Sequence, residues 1–278
     1  MLPFSARRII ESALDEDLGL GDVTTSAVVP VGLDLRAAAV ARERLVVCGS
    51  EIAAHVFWRL EGELVVEIKT PDGDTAEAGQ AICEVSGSAA AILAGERVAL
   101  NLLQHLSGIA TTTREYVDAV AGQATFICET RKTTPGLREL EKFAVRCGGG
   151  RNHRASLADC VLIKDNHIAL CGGVAAAIVR ARSNAPHTAT IDVETDTLEQ
   201  VAAAADAGAD VILLDNMDAN TVAAAVALVA GRSVVEVSGG VTLDQVGAYA
   251  SAGADVVSIG ALTHSRKWVD IGLDYIGR

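Results

Sequence analysis

Between Cys128 and His167 the chain reads CETRKTTPGLRELEKFAVRCGGGRNHRASLADCVLIKDNH. Residues 131–164 hold Arg131, Lys132, Arg138, Lys142, Arg146, Arg151, Arg154 and Lys164 against only Glu139, Glu141 and Asp159, in a chain whose net charge is −13. An acidic protein that gathers cations beside glycines and a histidine has the makings of an anion site, because a concave basic surface focuses field and concentrates anions. Arg138, Glu139, Glu141 and Lys142 have another reading, since opposite charges three or four apart stabilise the solvated face of a helix. Arg131, Lys132, Arg154 and Lys164 fall instead where strands should end.

Those ends belong to a repeated pattern. From Ala124 onward ATFICET, DCVLIKD, ATIDVET, ADVILLD, SVVEVSG and ADVVSIG are short β-branched runs, each followed by helical spacing. Strands buried on both faces have this composition. The residues that stand out sit at their carboxyl ends: Glu129, Arg131 and Lys132; Lys164 to His167; Glu194; Asp215 and Asn216; Ser238 to Gly240; Gly260. Six contributing ends favour a barrel, whose strand ends converge on one mouth, over an open doubly wound sheet with a single crevice. Six strands are too few for a complete eightfold barrel, so the expected fold is an α/β chain ending in an incomplete, open parallel β/α barrel.

Before it, residues 5–18 carry helical spacing, GDVTT reads as a polar loop, and strands are expected over 33–47 (with a break), 64–69 and 81–87, with a short helix at 50–60. The stretch after Ser88 reads as a long helix, with a bend or interruption expected at Gly108 and the Thr111 to Thr113 run. Residues 1–105 thus form an expected N-terminal α/β domain, and 106–265 the barrel that carries the site.

Two glycine-bearing turns, Ser238-Gly239-Gly240 and Ile259-Gly260-Ala261, precede helices on the last two barrel strands, where backbone N–H groups can hold a phosphate. Glu194 and Asp215 could bind ribose hydroxyls or a hydrated magnesium ion, which prefers oxygen ligands, or could simply neutralise Lys132 or Lys164. Arg131, His153, Arg154 and Lys164 would face a second anion, and arginine's planar fork suits carboxylates. The net charge argues against general nucleic-acid binding, and no window has the run of apolar residues a membrane span needs. Cys48, Cys83, Cys128, Cys147, Cys160 and Cys171 contain no C-x-x-C pair and read as buried reduced thiols rather than disulfides or zinc ligands. With a start, MLPFSARRII, that lacks a signal-peptide pattern, the expected location is the cytoplasm.

ETRKTTPGLRELEKFAVRCGGGRNHR followed by LIKDNH resembles the quinolinate phosphoribosyltransferase family, also called carboxylating nicotinate-nucleotide pyrophosphorylases. LDEDLGLGDVTT, GERVALNLLQHLSGIAT, VETDTLEQ, ILLDN, VSGGV and GALTHSRKWVDIGLD extend the resemblance along nearly the whole chain. It implies an α/β-sandwich first domain to which the tail (266–278) returns, an open barrel, and a homodimer that could assemble further. The implied reaction joins quinolinate to phosphoribosyl pyrophosphate, releasing pyrophosphate and carbon dioxide and leaving nicotinate mononucleotide for NAD biosynthesis, with Mg2+ as cofactor. The resemblance assigns Arg131, His153, Arg154 and Lys164 to the quinolinate carboxylates, with Thr130 beside them, and Lys132 to phosphoribosyl pyrophosphate. Glu194 and Asp215 fall at ribose and magnesium positions, and Ser238, Gly239, Gly240, Ile259, Gly260, Ala261 and His264 at the 5'-phosphate. Arg97 corresponds to an arginine supplied by a neighbouring subunit. Two other readings stay open: a paralogue of the same fold that accompanies molybdate transporters, and a non-catalytic phosphate-binding barrel.

Overall fold

A computed structural model describes residues 4–277, beginning with helices α1 (Phe4–Leu18) and α2 (Val23–Val28), strands β1 (Asp34–Ala41) and β2 (Leu45–Val46), and helix α3 (Ser50–Leu60). Strands β3 (Val65–Ile68), β4 (Thr75–Ala76) and β5 (Ala81–Ser88) lead into the long helix α4 (Ala89–Ala119). Next come β6 (Phe126–Cys128), α5 (Arg138–Cys147), β7 (Val161–Ile163), α6 (Asp165–Cys171) and α7 (Val174–Asn184). Strict alternation follows through β8 (Ile191–Thr195), α8 (Leu198–Asp206), β9 (Val211–Asp215), α9 (Ala219–Val229), β10 (Val234–Ser238), α10 (Leu243–Ser251), β11 (Val256–Ser258) and α11 (Ala261–His264). The last strand is β12 (Ile271–Gly277).

Two compact units divide the chain. One takes in the described parts of 1–114, 133–149 and 265–278; the other holds 115–132 and 150–264. The sequence places the boundary at 105/106 and assigns α5 to the barrel. In the structure α5 belongs to the first unit, because Leu140, Ala144 and Val145 are fully buried among Ile10, Ile52, Leu106 and their neighbours. Glu141 and Lys142, expected on a solvated helix face, are buried with them, whereas Glu139 is exposed.

In the first unit a four-stranded sheet runs β12-β1-β5-β3. The tail closes it: β12 pairs antiparallel with β1, from Ala41↔Ile271 outward. Two local expectations give way here. The GDVTT segment is not all loop, since Asp22 caps α2 by accepting a 2.9 Å hydrogen bond from the Thr25 amide, which satisfies a donor the helix leaves open. Nor is α4 interrupted. A Cβ on Gly108 would lie 2.4 Å from the Lys267 carbonyl oxygen, so this glycine permits a close approach of two backbones. Thr113 bonds back to the Ile109 carbonyl at 2.8 Å within the helix.

The second unit is built on a six-stranded sheet of order β6-β11-β10-β9-β8-β7. Every neighbouring pair is parallel, and among the described residues β6 and β7 do not pair, which leaves the barrel open. Strand residues such as Ile191, Val193, Ile212, Leu214, Val235 and Val237 are buried against Val201, Val222 and Val246 of the crossover helices. All six strands therefore run in one direction and bring their carboxyl ends to one side of the sheet.

Candidate active site

The carboxyl ends of those strands open into a cavity of about 560 Å3. Thr130, Arg131, Lys132, His153, Arg154, Lys164, Glu194, Asp215, Ser238, Gly239 and Gly240 line it, together with Leu162, Leu213, Asn216, Glu236 and Ser258. These residues all belong to the second unit.

Lys132 leaves the end of β6 with its backbone fixed twice. Its amide donates to Thr130 Oγ1 at 3.1 Å, and its carbonyl accepts from Thr263 Oγ1 at 2.7 Å. The second bond ties the lysine to α11, and a Cβ on Gly260 would stand 3.1 Å from Lys132 Cδ and 3.1 Å from His264 Nε2. Gly260 thus lets the lysine and the histidine approach the same turn. Ile259, expected at the phosphate, contributes no side chain to it: it is 2% exposed in the core, and its amide already donates to the Cys128 carbonyl at 2.8 Å.

His153 is held by the buried carboxylate of Glu129. The His153 amide donates to Glu129 Oε1 at 3.1 Å and Asn152 Nδ2 to Glu129 Oε2 at 3.0 Å. The ring Nδ1 accepts from the Arg154 amide at 2.7 Å, which assigns the remaining ring proton to Nε2. That nitrogen faces Glu236 Oε1 at 3.3 Å and Asp192 Oδ2 at 3.8 Å. Asp192 and Glu236 are 3% and 4% exposed. Burial pushes the Asp192 carboxyl up to about 7, and the neighbouring Glu236 adds to it.

The expected alternative for Glu194 holds in part, since its carboxylate pairs with Lys164 Nζ. Asp215 is raised from the ordinary aspartate range by burial and by the charges of Glu194 and Asp196. Asn216, next in the chain, adopts φ 55° and donates from Nδ2 to Asp215 Oδ2 at 2.7 Å. Asparagine is one of the few residues that tolerate this left-handed conformation. Gly239, at φ 99°, lies directly over it: a Cβ there would sit 2.3 Å from Asn216 Oδ1. Helix α10 uses its own cap, with Thr242 and Gln245 satisfying each other's amides. A phosphate at this end would therefore meet the Gly239 and Gly240 turn rather than the first turn of α10.

Sequence reasoning marked Asn216 as a strand-end residue without giving it a role, and missed Asp192 and Glu236. The two missed acids had a signal, because Asp192 and Glu194, like Glu236 and Ser238, are two apart on a strand and share its face. Arg97 is outside the cavity lining; it lies on α4 in the first unit, with an exposed side chain 3.8 Å from Glu96.

An open β/α barrel with cations, carboxylates and a glycine turn around one mouth defines a class of anion-binding transferase scaffolds. The family is more specific. Residues 22–107 match the N-terminal domain of quinolinate phosphoribosyl transferase and residues 109–274 its C-terminal domain. The probable carboxylating nicotinate-nucleotide pyrophosphorylase of Bacillus subtilis is 44% identical over 96% of this chain and 92% of its own length. The carboxylating nicotinate-nucleotide pyrophosphorylase of Mycobacterium leprae is 43% identical over 97% of each chain. The crystal structure of NadC from Streptococcus pyogenes superimposes with a TM-score of 0.94 at 40% identity, covering 100% of this chain and 99% of that one. This chain belongs to the quinolinate phosphoribosyltransferase family.

Proposed function

We infer that this chain transfers the phosphoribosyl group of phosphoribosyl pyrophosphate to quinolinate with decarboxylation, giving nicotinate mononucleotide, pyrophosphate and carbon dioxide in NAD biosynthesis. The observation that carries the reading is the single cavity in which Arg131, His153, Arg154 and Lys164 share a mouth with Lys132, Glu194, Asp215 and the Gly239 turn. One substrate is a dicarboxylate and the other a polyanion bearing ribose hydroxyls, and this side-chain set suits both.

In this reading the two arginines, His153 and Lys164 hold the carboxylates, and Thr130 adds a hydroxyl. Lys132 takes the pyrophosphate, while Ser238, Gly239, Gly240, Gly260, Ala261 and His264 surround the 5'-phosphate. The pyridine nitrogen forms a bond to the ribose C1 as the bond to pyrophosphate breaks, its electron pair leaving with that group. Glu194 and Asp215 stabilise the positive charge that builds on the sugar, and Lys132 the negative charge on the leaving group. The quaternary ring then accepts the electron pair of the breaking C–C bond as the 2-carboxylate departs as carbon dioxide, and C2 takes up a proton. Alignment of the two reactants is the larger contribution, on the order of 7–11 kcal/mol in favourable cases.

Magnesium belongs to the same reading. Glu194 and Asp215 present hard oxygen donors, and the charges of Glu194 and Asp196, which add to burial in raising Asp215, are what a divalent cation would offset. When bound, the ion would neutralise charge on the pyrophosphate. The proposed form is a cytoplasmic homodimer in which Arg97 serves the neighbouring subunit's mouth. No described helix is long and apolar enough to cross a membrane.

A product assay tests the function: the purified chain with quinolinate, phosphoribosyl pyrophosphate and Mg2+ should release carbon dioxide and nicotinate mononucleotide in equal amounts. Absence of both products with folded protein would overturn it.

A further inference from the structure

The first unit contains a donor set that the proposed reaction does not use. The sulfurs of Cys48 and Cys147 and a carboxylate oxygen of Asp72 all lie within 4.8 Å of one another. We propose that Cys48, Cys147 and Asp72 form a structural site for a thiophilic divalent cation of the zinc type.

The chemistry of the donors selects the class of ion. Thiolates favour zinc-like metals over the hard magnesium ion, and a single carboxylate is a common companion. A tetrahedron with zinc–sulfur bonds of ~2.3 Å spaces its sulfurs ~3.8 Å apart, within the observed spacing. Water would complete the coordination from the solvent side, where Cys147 and Asp72 are partly exposed, while Cys48 is fully buried.

The segments that carry the donors are fixed by hydrogen bonds and close packing. The Cys48 amide donates to Ser107 Oγ at 3.0 Å, and that hydroxyl donates back to the Cys48 carbonyl at 3.1 Å. Asp72 accepts three hydrogen bonds, all on Oδ1: from the Gly49 amide at 3.0 Å, the Ser50 amide at 2.8 Å and Ser50 Oγ at 2.7 Å. Its second oxygen is left for a ligand role. The turn carrying it is tied to the chain just before Cys48, with Gly73 donating to the Val47 carbonyl and Val47 to that of Asp74. Cys147 ends α5 just before Gly148, where a Cβ would come within 2.5 Å of the Ala110 carbonyl oxygen. This close approach sets where α5 stops.

Metal binding would also change the electrostatics. Three acidic groups packed together destabilise one another's charged forms, and a divalent cation reverses that sign. The ion would staple the Cys48–Ser50 segment, the turn at Asp72 and the end of α5.

The test uses the full chain, reduced, stripped with a chelator and titrated with Zn2+ or Co2+ alone. The proposal expects one thiolate-bound metal per chain, seen as a cobalt–thiolate charge-transfer band, and a rise in Tm with zinc. Carboxylate sites such as Glu194 with Asp215 are silent in that band. Cys48→Ser and Cys147→Ser should each lose the band and the Tm shift, and Cys83→Ser and Cys171→Ser should keep both. Should either ligand variant fold poorly, alkylation of the unmodified chain decides, with zinc protecting the partly exposed Cys147 and leaving Cys171 reactive. The proposal is overturned by absence of the band, by its survival in both ligand variants, by unprotected Cys147, or by a Cys48–Cys147 disulfide that on reduction yields no metal uptake.

Discussion

Lys132 is exposed, and its anchoring runs through main-chain atoms, to Thr130 and Thr263. Removing its side chain therefore takes away an ammonium without disturbing the bonds that shape the turn. Lys132→Ala is expected to lower kcat by ~10²–10³-fold, the usual cost of one electrostatic donor, with Tm unchanged. Retained turnover with a large fall in Tm would make the lysine structural. Gly239 is the opposite case, because an added Cβ would enter the space of Asn216 while the backbone stays left-handed. Gly239→Ala should cost ~1–3 kcal/mol of stability and raise KM for phosphoribosyl pyrophosphate, as read by thermal melts and initial rates. Nicotinate tests the cations. It would leave part of the set unpaired, and sites built around a polar group reject analogues lacking it by about 10⁴-fold. Comparable kcat/KM for quinolinate and nicotinate would remove Arg131, Arg154 and Lys164 from that role. The cations at strand ends were legible in sequence because Lys and Arg in apolar β-branched runs have few structural uses. Asp192 and Glu236 were not picked out, since a lone acid in a strand does not reveal which acid from another strand it will meet.

At the scale of elements, α5 shows how charge pattern alone misleads. Glu141 and Lys142 stand at spacings that suit an exposed face, yet Glu141 is 0% exposed, with His105 Nε2 at 3.0 Å and the Thr134 amide at 3.1 Å. Arg266 reaches the same imidazole, its Nη2 lying 2.5 Å from His105 Nδ1. Three segments far apart in sequence meet there, and periodicity within one helix carries no trace of them. The six barrel strands, by contrast, were readable from their continuous apolar runs, and α4 from its length. Burial acts to raise the Glu141 carboxyl, but the bonds from His105 and Thr134 outweigh it and leave its pKa below the usual value. A folded pKa beneath the unfolded one means that the stabilisation is complete above the ordinary glutamate range and is lost as pH falls through the depressed folded value. Glu141→Gln should thus cost about 2 kcal/mol at neutral pH, and the gap from the unsubstituted chain should narrow in acid. Melting curves across pH 3–7 would check it, and a gap that widens in acid would assign the stabilisation elsewhere.

For the whole molecule, the remaining question is why Arg97 resembles a substrate-binding arginine while every charged residue lining the cavity belongs to the other unit. The proposed two-fold dimer would answer it, because symmetry would make any contribution reciprocal: what one subunit's α4 gave to its partner's mouth it would receive at its own. Arg97 is exposed, with the carboxylate of neighbouring Glu96 3.8 Å from its guanidinium, so its substitution should leave the fold intact. Arg97→Ala and Lys164→Ala chains are each expected to be inactive alone. In a mixed dimer one mouth combines the Arg97→Ala subunit's intact Lys164 with the arginine of its partner, and the other mouth lacks both. Statistical exchange puts half of all dimers in the mixed form, each with one complete mouth of two, so mixing equal amounts should restore roughly a quarter of the unsubstituted activity per chain. Exchange is followed independently by native mass spectrometry of size-tagged subunits. If mixed dimers form and no turnover returns, Arg97 acts within its own chain or serves packing alone, and the two mouths of the dimer are independent.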